Sequence, residues 1–423
     1  MSCEISGALP LDAARTRLLA QLDTVVGTEW RDLAAAAGCI LATDVVARMA
    51  SPAFDNSAMD GYALQAGDLA ATGALPVCGR ALAGHPFQGD WPAGSVVRIM
   101  TGAPVPAGTA AVVMQEQTLS VANGPQIRLL KPVTAGANIR LQGEDITAGS
   151  TVLAAGSRLN ARNLPLLAAV GISQVCVYRP LRVAYFSSGD ELCSPQGWAD
   201  QPADAGMIVD TNRLALQTML VRLGCTAIDL GIIPDDPAAL RAAFLHADAV
   251  ADVLITSGGV SVGDADYTKT VLNELGEVAF WKVAIKPGKP FACGRLVKAD
   301  NQGWFFGLPG NPVSAQVTFL LLVRPALERM MGLIAPAPLA YRARLARDLK
   351  LTSGRIDFQR GVLGVNTDGD LLVDTAGAQG SGMFMAMARA NCLIQLDEAD
   401  FPDQRLAPAG SRVPVWLFDE VMA

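Results

Sequence analysis

The rhythm of apolar and polar positions changes along the chain. Between residues 179 and 330, short apolar runs alternate with stretches whose apolar side chains recur at helical spacing. LRVAYFSS reads as a strand. TNRLALQTMLVRLG reads as a helix capped by Thr211 or Asn212 and ended by Gly224. CTAIDLGII is a strand, DDPAALRAAFLHA a helix and DVLITSGG a strand. YTKTVLNELG is then a helix, VAFWKVAIKPG and WFFGLPG are strands, and NPVSAQVTFLLLVRPALERMMG is a last helix. This alternation predicts a doubly wound, mostly parallel sheet covered on both faces. Its ligand belongs beyond the carboxyl ends of the strands.

Outside that region the rhythm differs. Residues 8–47 read as helical, in LDAARTRLLAQL and RDLAAAAGCILATDV, with Pro10 near the first turn. From Ser51 to about Gly143, Gly and Pro recur between short alternating segments such as SVVRIM and AAVVMQEQ, which predicts a small inserted β domain. NARNLPLLAAVG, residues 160–171, reads as a helix with a glycine cap. After about Pro336 the short runs RARLARDL, FQRGVLGV, DLLVDTA and NCLIQLDE predict a β barrel or sandwich.

Composition narrows the function classes. Hydrophobic residues make up 51% and charged residues 17%, so the chain is globular rather than disordered. Mean hydropathy is +0.31, yet no apolar run approaches the roughly 20 residues of a membrane helix. The N-terminus carries Glu4 and Asp12 and lacks the pattern of a secretory signal. Eight scattered cysteines form no CxxC pair, which disfavours structural zinc and suits a reducing cytoplasm. A net charge of −7 disfavours a general nucleic-acid surface. His85 and His246 are the only histidines, so a histidine base is not expected. The seven lysines are Lys131, Lys269, Lys282, Lys286, Lys289, Lys298 and Lys350, and five of them lie between Lys269 and Lys298. That clustering points to a local anion site.

Several segments carry the chemistry such a site needs. TSGGVSVGDADYTK, Thr256–Lys269, follows a strand and opens a helix. Gly258, Gly259 and Gly263, with Ser261 between them, allow a tight turn that aims N–H groups at an anion beside a helix start. Asp264 and Asp266 are placed to hold a hard cation there, or to cap the helix. The segment matches neither the dinucleotide nor the Walker fingerprint. In WKVAIKPGKP, Trp281–Pro290, strand alternation sends Val283 and Ile285 one way and Lys282 and Lys286 the other. Pro287-Gly288 then turns the chain and brings Lys289 near. Three ammonium groups there suit phosphate or another oxyanion; the alternative is a solvated sheet edge. In LPGNPVSAQ, Asn311 reads as N-cap, Pro312 as the first helical residue, and Ser314 as a hydroxyl near free N–H groups. Asp190 and Glu191 in SSGDEL, and Asp235 and Asp236 in GIIPDD, sit at two strand ends. With Asp264 and Asp266 they suit Mg²⁺. Pro52–Ala63 (with Asp55, Asn56, Ser57 and Asp60), Arg98–Thr109, and Asn138–Asp145 (with Arg140 and Glu144) are indistinguishable from loops by spacing alone.

PAFDNSAMDGYA, SGGVSVGDADYTK, KPGKP and LPGNPVSA, together and in this order, resemble the molybdopterin molybdenumtransferase family, which includes the bacterial enzyme and the E domains of gephyrin and its plant counterpart. The likeness covers nearly the whole chain. It implies a multidomain α/β and β fold. Residues 8–47 and 144–178 would form an elongated helical linker region, 48–143 the inserted β domain, 179–330 the central doubly wound α/β molybdopterin-binding domain, and 336–423 a C-terminal β barrel. It further implies a homodimer whose active site is shared between subunits, with the inserted domain of one reaching the pterin-binding and C-terminal domains of the other.

Carried over residue by residue, the resemblance assigns catalytic roles to Asp60, Asp145, Glu191, Asp235, Asp266, Lys282 and Lys286. Glu144 and Asp236 are adjacent alternatives to Asp145 and Asp235. Glu191, Asp235, Asp264 and Asp266 would hold Mg²⁺. Thr101, Gly258, Gly259, Ser261, Gly263, Lys289, Ser314, Arg355 in SGRIDFQRG and Ser381 in AQGSGM would bind substrate. SSGDEL departs conservatively from the more usual Ser-Thr-Gly. The implied reaction inserts molybdate into adenylyl-molybdopterin with release of AMP, with a molybdopterin adenylyltransferase as candidate delivery partner and no nucleic-acid or membrane partner. Three other readings compete. An adenylyltransferase shares the central domain but does not need the flanking β domains. A non-catalytic gephyrin-like scaffold has no long linker to represent it here. A nicotinamide oxidoreductase lacks its fingerprint.

Overall fold

The computed structural model describes residues 7–121, 124–200, 206–259, 267–296, 301–334, 341–402, 404–418 and 422. The central alternation folds into a six-stranded sheet, ordered Thr226–Ile233, Arg182–Ser188, Val253–Ser257, Trp304–Leu308, Pro290–Arg295, Glu277–Lys282. The first four strands run parallel. Pro290–Arg295 is antiparallel to both of its neighbours. Val253–Ser257 and Trp304–Leu308 are buried along their whole length, as strands covered on both faces must be.

The period of two sorts the core into two layers. Val183, Tyr185, Ile255 and Phe306 face the helix Asn212–Leu223, through Leu216 and Leu220, and also Val317 and Phe319. Ala184, Phe186, Leu254 and Phe305 face Leu240 and Phe244 of the helix Pro237–Val250 and Leu272 of the helix Tyr267–Leu275. Among the described residues no helix is long and apolar enough to cross a membrane.

The reading of helix throughout 8–47 is corrected. Helix covers Leu11–Leu19. Thr28–Asp32 is a strand paired antiparallel with Gln174–Tyr178, and Val45–Val46 pairs with Thr151–Leu153. The alanines of RDLAAAAGCILATDV favour helix locally, but pairing with a segment far along the chain overrides that preference. Residues 144–178 likewise hold only a short helix, Leu164–Ala169. The two segments meet through these strand pairs, on either side of the inserted domain.

That inserted domain is a six-stranded sheet ordered Ala111–Met114, Gly61–Leu64, Val96–Ile99, Leu75–Ala81, Gln126–Leu129, Thr118–Val121. At the C-terminal end, Ile356–Val365, Leu371–Thr375, Tyr341–Leu345, Arg412–Leu417 and Cys392–Leu396 pair in that order, and the last returns to the first to close a barrel. Val373, Ile394 and Val415 fill its core. The short strand Ile285–Lys286 joins the barrel by pairing in parallel with Ile356–Asp357. A hydrogen-bonded seam therefore links the lysine-rich segment of the central domain to the barrel.

Candidate active site

Because parallel strands all end on one edge, their loops collect there. They enclose a cleft of about 550 Å³ lined by Ser187, Ser188, Glu191, Asp210, Asn212, Asp235, Ser257, Gly258, Gly259, Gly310 and Pro312, among others. Gly258 has φ +95°, and a Cβ there would lie 2.8 Å from the Ser188 carbonyl oxygen. Gly259 has φ +66°, and a Cβ there would lie 2.2 Å from Thr268 Oγ1. Both positions need glycine for backbone conformation and for space. A Cβ on Gly310 would stand 3.8 Å from Gly258 Cα, so the two loops meet backbone to backbone.

A side chain fastens these loops together. Asn212 Nδ2 donates to Ser257 Oγ and to the Gly310 carbonyl, both at 2.7 Å. Asp210 Oδ1 accepts from Ser187 Oγ at 3.0 Å and from the Asn212 N–H at 3.2 Å. Sequence reasoning leaves Asp210 out and offers Asn212 only as one of two helix-cap candidates; the N-cap is Thr211. A polar residue before an apolar helix has that ordinary explanation, and only its burial in the fold reveals the other.

The acidic residues partly converge. The Asp235 N–H donates to Asp190 Oδ1 at 3.0 Å. Burial, then the charges of Asp190 and Glu191, push the Asp235 carboxyl up from the usual carboxylate range. Like-charged oxygens crowded in this way suit a divalent cation with oxygen ligands. Among the described residues no group of three His, Cys, Asp or Glu side chains closes into a ligand set. The expected partners Asp264 and Asp266, with Ser261 and Gly263, lie outside the described residues. Asp236 is the N-cap of Pro237–Val250, accepting from the Ala239 N–H at 2.8 Å. Asp235 is the one of the pair that lines the cleft.

The cationic residues occupy a second lobe and do not line the cleft. Val283 and Ile285 are buried and Lys282 is exposed, as the alternation predicted. Lys286 Nζ lies 3.1 Å from both Asp357 Oδ2 and Thr352 Oγ1, across the barrel seam. Lys289 is half-buried. The lobes are joined by the helix Pro312–Thr318. Its first residue lines the cleft. Farther along, a Cβ on Gly288 would lie 2.4 Å from Thr318 Oγ1, so the lysine turn packs on this helix. Ser314 sits between, buried, and the Ser381 carbonyl accepts from the Val313 N–H at 3.2 Å. Arg355 is half-buried, with its Nε hydrogen-bonded to nothing.

On the inserted domain, the Thr101 N–H and Oγ1 both donate to Asp60 Oδ1 at 2.8 Å. These two bonds, backbone first, hold the Asp60 carboxyl below its ordinary range. The three loops that spacing left undecided form one ledge. Asn56–Ser57 pairs with Ile139–Arg140, the Ser57 N–H donates to the Ala103 carbonyl, and the Gln142 N–H donates to Asp55 Oδ1 at 2.7 Å. Glu144 accepts from the Leu141 N–H at 2.9 Å, while Asp145 stays exposed.

Comparison with known proteins places this arrangement. Residues 9–171 match the MoeA N-terminal region (domain I and II), 184–329 the probable molybdopterin binding domain, and 342–418 the MoeA C-terminal region (domain IV). A molybdopterin molybdenumtransferase of Haemophilus influenzae is 45% identical over 415 residues, covering 98% of this chain and 100% of that one. The chain belongs to the molybdopterin molybdenumtransferase family. A further relative of that name, from Nostoc sp., is 37% identical over 387 residues, covering 90% of this chain and 87% of its own. The crystal structure of a molybdopterin biosynthesis moeA protein from Pyrococcus horikoshii matches with a TM-score of 0.80 at 28% identity, over 97% of this chain and 100% of that one. In family terms, the cleft falls in the molybdopterin-binding region, Asp60 and Thr101 in the N-terminal region, and Arg355 and Ser381 in the C-terminal region.

Proposed function

We propose that this protein inserts molybdate into adenylyl-molybdopterin with release of AMP. One observation carries the reading: the helix Pro312–Thr318 begins at a glycine-walled, acidic cleft and runs beneath a lysine turn. An adenylylated pterin needs the first environment, and a tetrahedral metal oxyanion needs the second. In the cleft, backbone N–H groups of the turn at Gly258 and Gly259 would hold phosphate oxygens. Glu191 and Asp235, which line the cleft, would hold Mg²⁺ together with Asp264 and Asp266. When bound, it supplies neutralisation of phosphate charge as the anhydride opens.

In the second lobe, Lys286, Lys289 and Arg355 would hold molybdate, with Ser314 and Ser381 donating hydroxyl hydrogen bonds. Holding both reactants on one rigid helix converts their encounter into a unimolecular step, where positioning and electrostatics supply most of the acceleration. The active form would be a homodimer in which the Asp60–Thr101 ledge of one subunit completes the cleft of the other. Support for this comes from the apolar residues exposed around that ledge, Phe54, Met59 and Leu141.

The test is AMP release from adenylyl-molybdopterin by the purified protein, with and without molybdate and Mg²⁺. Release that requires both is expected, and Asp235→Asn and Lys286→Ala abolish it while folding normally. Full turnover in both variants removes the roles given to these residues. Consumption of ATP with free molybdopterin would instead mark an adenylyltransferase.

A further inference from the structure

We infer that Arg360 is a positioning residue that sets the Ser381 loop against the start of the helix Pro312–Thr318. The inference rests on the reading of that helix and of Ser381 as parts of the substrate site.

Arg360 lies on the barrel strand Ile356–Val365 and is 1% exposed. Its Nη2 donates to the Gly380 carbonyl at 2.9 Å and to the Ala378 carbonyl at 3.3 Å. Its main chain grips the same loop. The Arg360 N–H donates to Gln379 Oε1 at 2.8 Å, and Gln379 Nε2 donates back to the Arg360 carbonyl at 3.1 Å and to the Gly377 carbonyl at 2.8 Å. The segment from Gly377 to Gly382 contains three glycines and would be slack if left unheld. Instead one residue holds it by side chain and backbone together.

The loop is held at a useful place. The next residue, Ser381, accepts from the Val313 N–H through its carbonyl oxygen. That N–H is one of the four a helix start leaves unpaired. Asn311, the N-cap, makes no side-chain capping bond, and Pro312 has no N–H to satisfy. The barrel loop therefore caps the helix in place of its own N-cap residue. Arg360 acts through Ser381 on a helix that touches both lobes of the site.

The choice of arginine supports the role. Burying a guanidinium is costly, and Arg360 Nε is hydrogen-bonded to nothing. An apolar residue would fill the same space more cheaply. Both bonds come from one nitrogen, Nη2, which has an N–H for each of the two loop carbonyls and is held in place by the rigid guanidinium plane.

The test uses Arg360→Lys, Gln379→Ala, Ser381→Ala and the Gln379→Ala/Ser381→Ala double variant of the full chain. Gln379 is half-exposed, so its replacement leaves the barrel core intact even if Arg360→Lys fails to fold. Gln379→Ala is expected to raise the KM for molybdate about tenfold, equivalent to roughly 1.4 kcal/mol, with kcat little changed. Ser381→Ala keeps the carbonyl that caps Val313 and should leave that amide protected, whereas the double variant, and Arg360→Lys if it folds, should expose it as Gln379→Ala does. Hydrogen exchange supplies an arm that needs no activity: the Val313 amide loses protection in Gln379→Ala while Val317 keeps it. An unchanged Val313 amide in folded Gln379→Ala, or in the double variant, overturns the inference. A wild-type protein that releases no AMP sinks the functional reading instead, and the exchange arm still decides the role of the clamp.

Discussion

Replacing Asn212 with alanine removes the two hydrogen bonds that join the end of the strand Val253–Ser257 to the loop entering the helix Pro312–Thr318. Asn212 is 8% exposed and Ser257 is 2% exposed, so water does not readily replace the missing amide. A buried polar group left unpaired costs about 1–3 kcal/mol. Ser257 Oγ keeps a long contact to the Pro309 carbonyl at 3.5 Å, which puts its share at the low end. The Gly310 carbonyl bears the rest. The sum is a stability loss of about 2–4 kcal/mol, measured as a shift in the urea midpoint at constant slope. The glycine turn and the helix start would also drift apart, raising the KM for adenylyl-molybdopterin by about tenfold, or roughly 1.4 kcal/mol. Asn212→Asp keeps the shape but sets a carboxylate against the Gly310 carbonyl and beside Asp210, and should be at least as damaging. An Asn212→Ala protein within about 0.5 kcal/mol of wild type, with unchanged KM, would refute the idea that this residue fastens the cleft.

Further outcomes follow from other contacts. Gly259→Ala forces a left-handed alanine against Thr268, so it should cost at least about 1–2 kcal/mol and weaken AMP binding by calorimetry; equal binding contradicts the fit of the turn. At Asp252, burial pushes the carboxyl up, but hydrogen bonds from Arg179 and Arg182 outweigh it and hold it below its ordinary value. A depressed carboxyl contributes stability above the unfolded pKa of about 3.9 and loses it as pH falls through the folded value. Asp252→Asn should therefore be destabilised by about 1.5 kcal/mol at pH 7, since the two arginines it leaves are partly solvated, with the gap to wild type narrowing in acid; a gap independent of pH counts against the pairing. Asp60→Ala should slow AMP release without shifting the thermal midpoint, and mixing it with Asp235→Asn subunits should restore activity only if the site is shared across a dimer.

The α/β region was legible because its signal is local: alternation places Val183 and Tyr185 on one face and Ala184 and Phe186 on the other. The antiparallel strand Pro290–Arg295 was missed: it carries a proline at its first position and a glycine near its end, residues that are depleted in strands. The strand Thr28–Asp32 was misread as helix, because its partner lies beyond an entire inserted domain. Site residues divide in the same way. The glycine turn and the lysine cluster stood out by composition. The Asp60–Thr101 pair is separated by 41 residues, and neither spacing nor periodicity carries such a contact; family resemblance pointed to each residue but not to their pairing. Nor did the sequence indicate that Lys286 is held by Asp357, or that lysines and carboxylates sit on opposite stretches of one helix.

That division into two lobes is the core of the account, and crystals exposed to AMP and molybdate together test it most directly. The AMP phosphate should sit at Ser188, Gly258 and Gly259, and molybdate should sit beside Lys286, Lys289 and Ser314, with the helix Pro312–Thr318 between them. Molybdate bound in the acidic cleft, or AMP bound along the lysine turn, would contradict it.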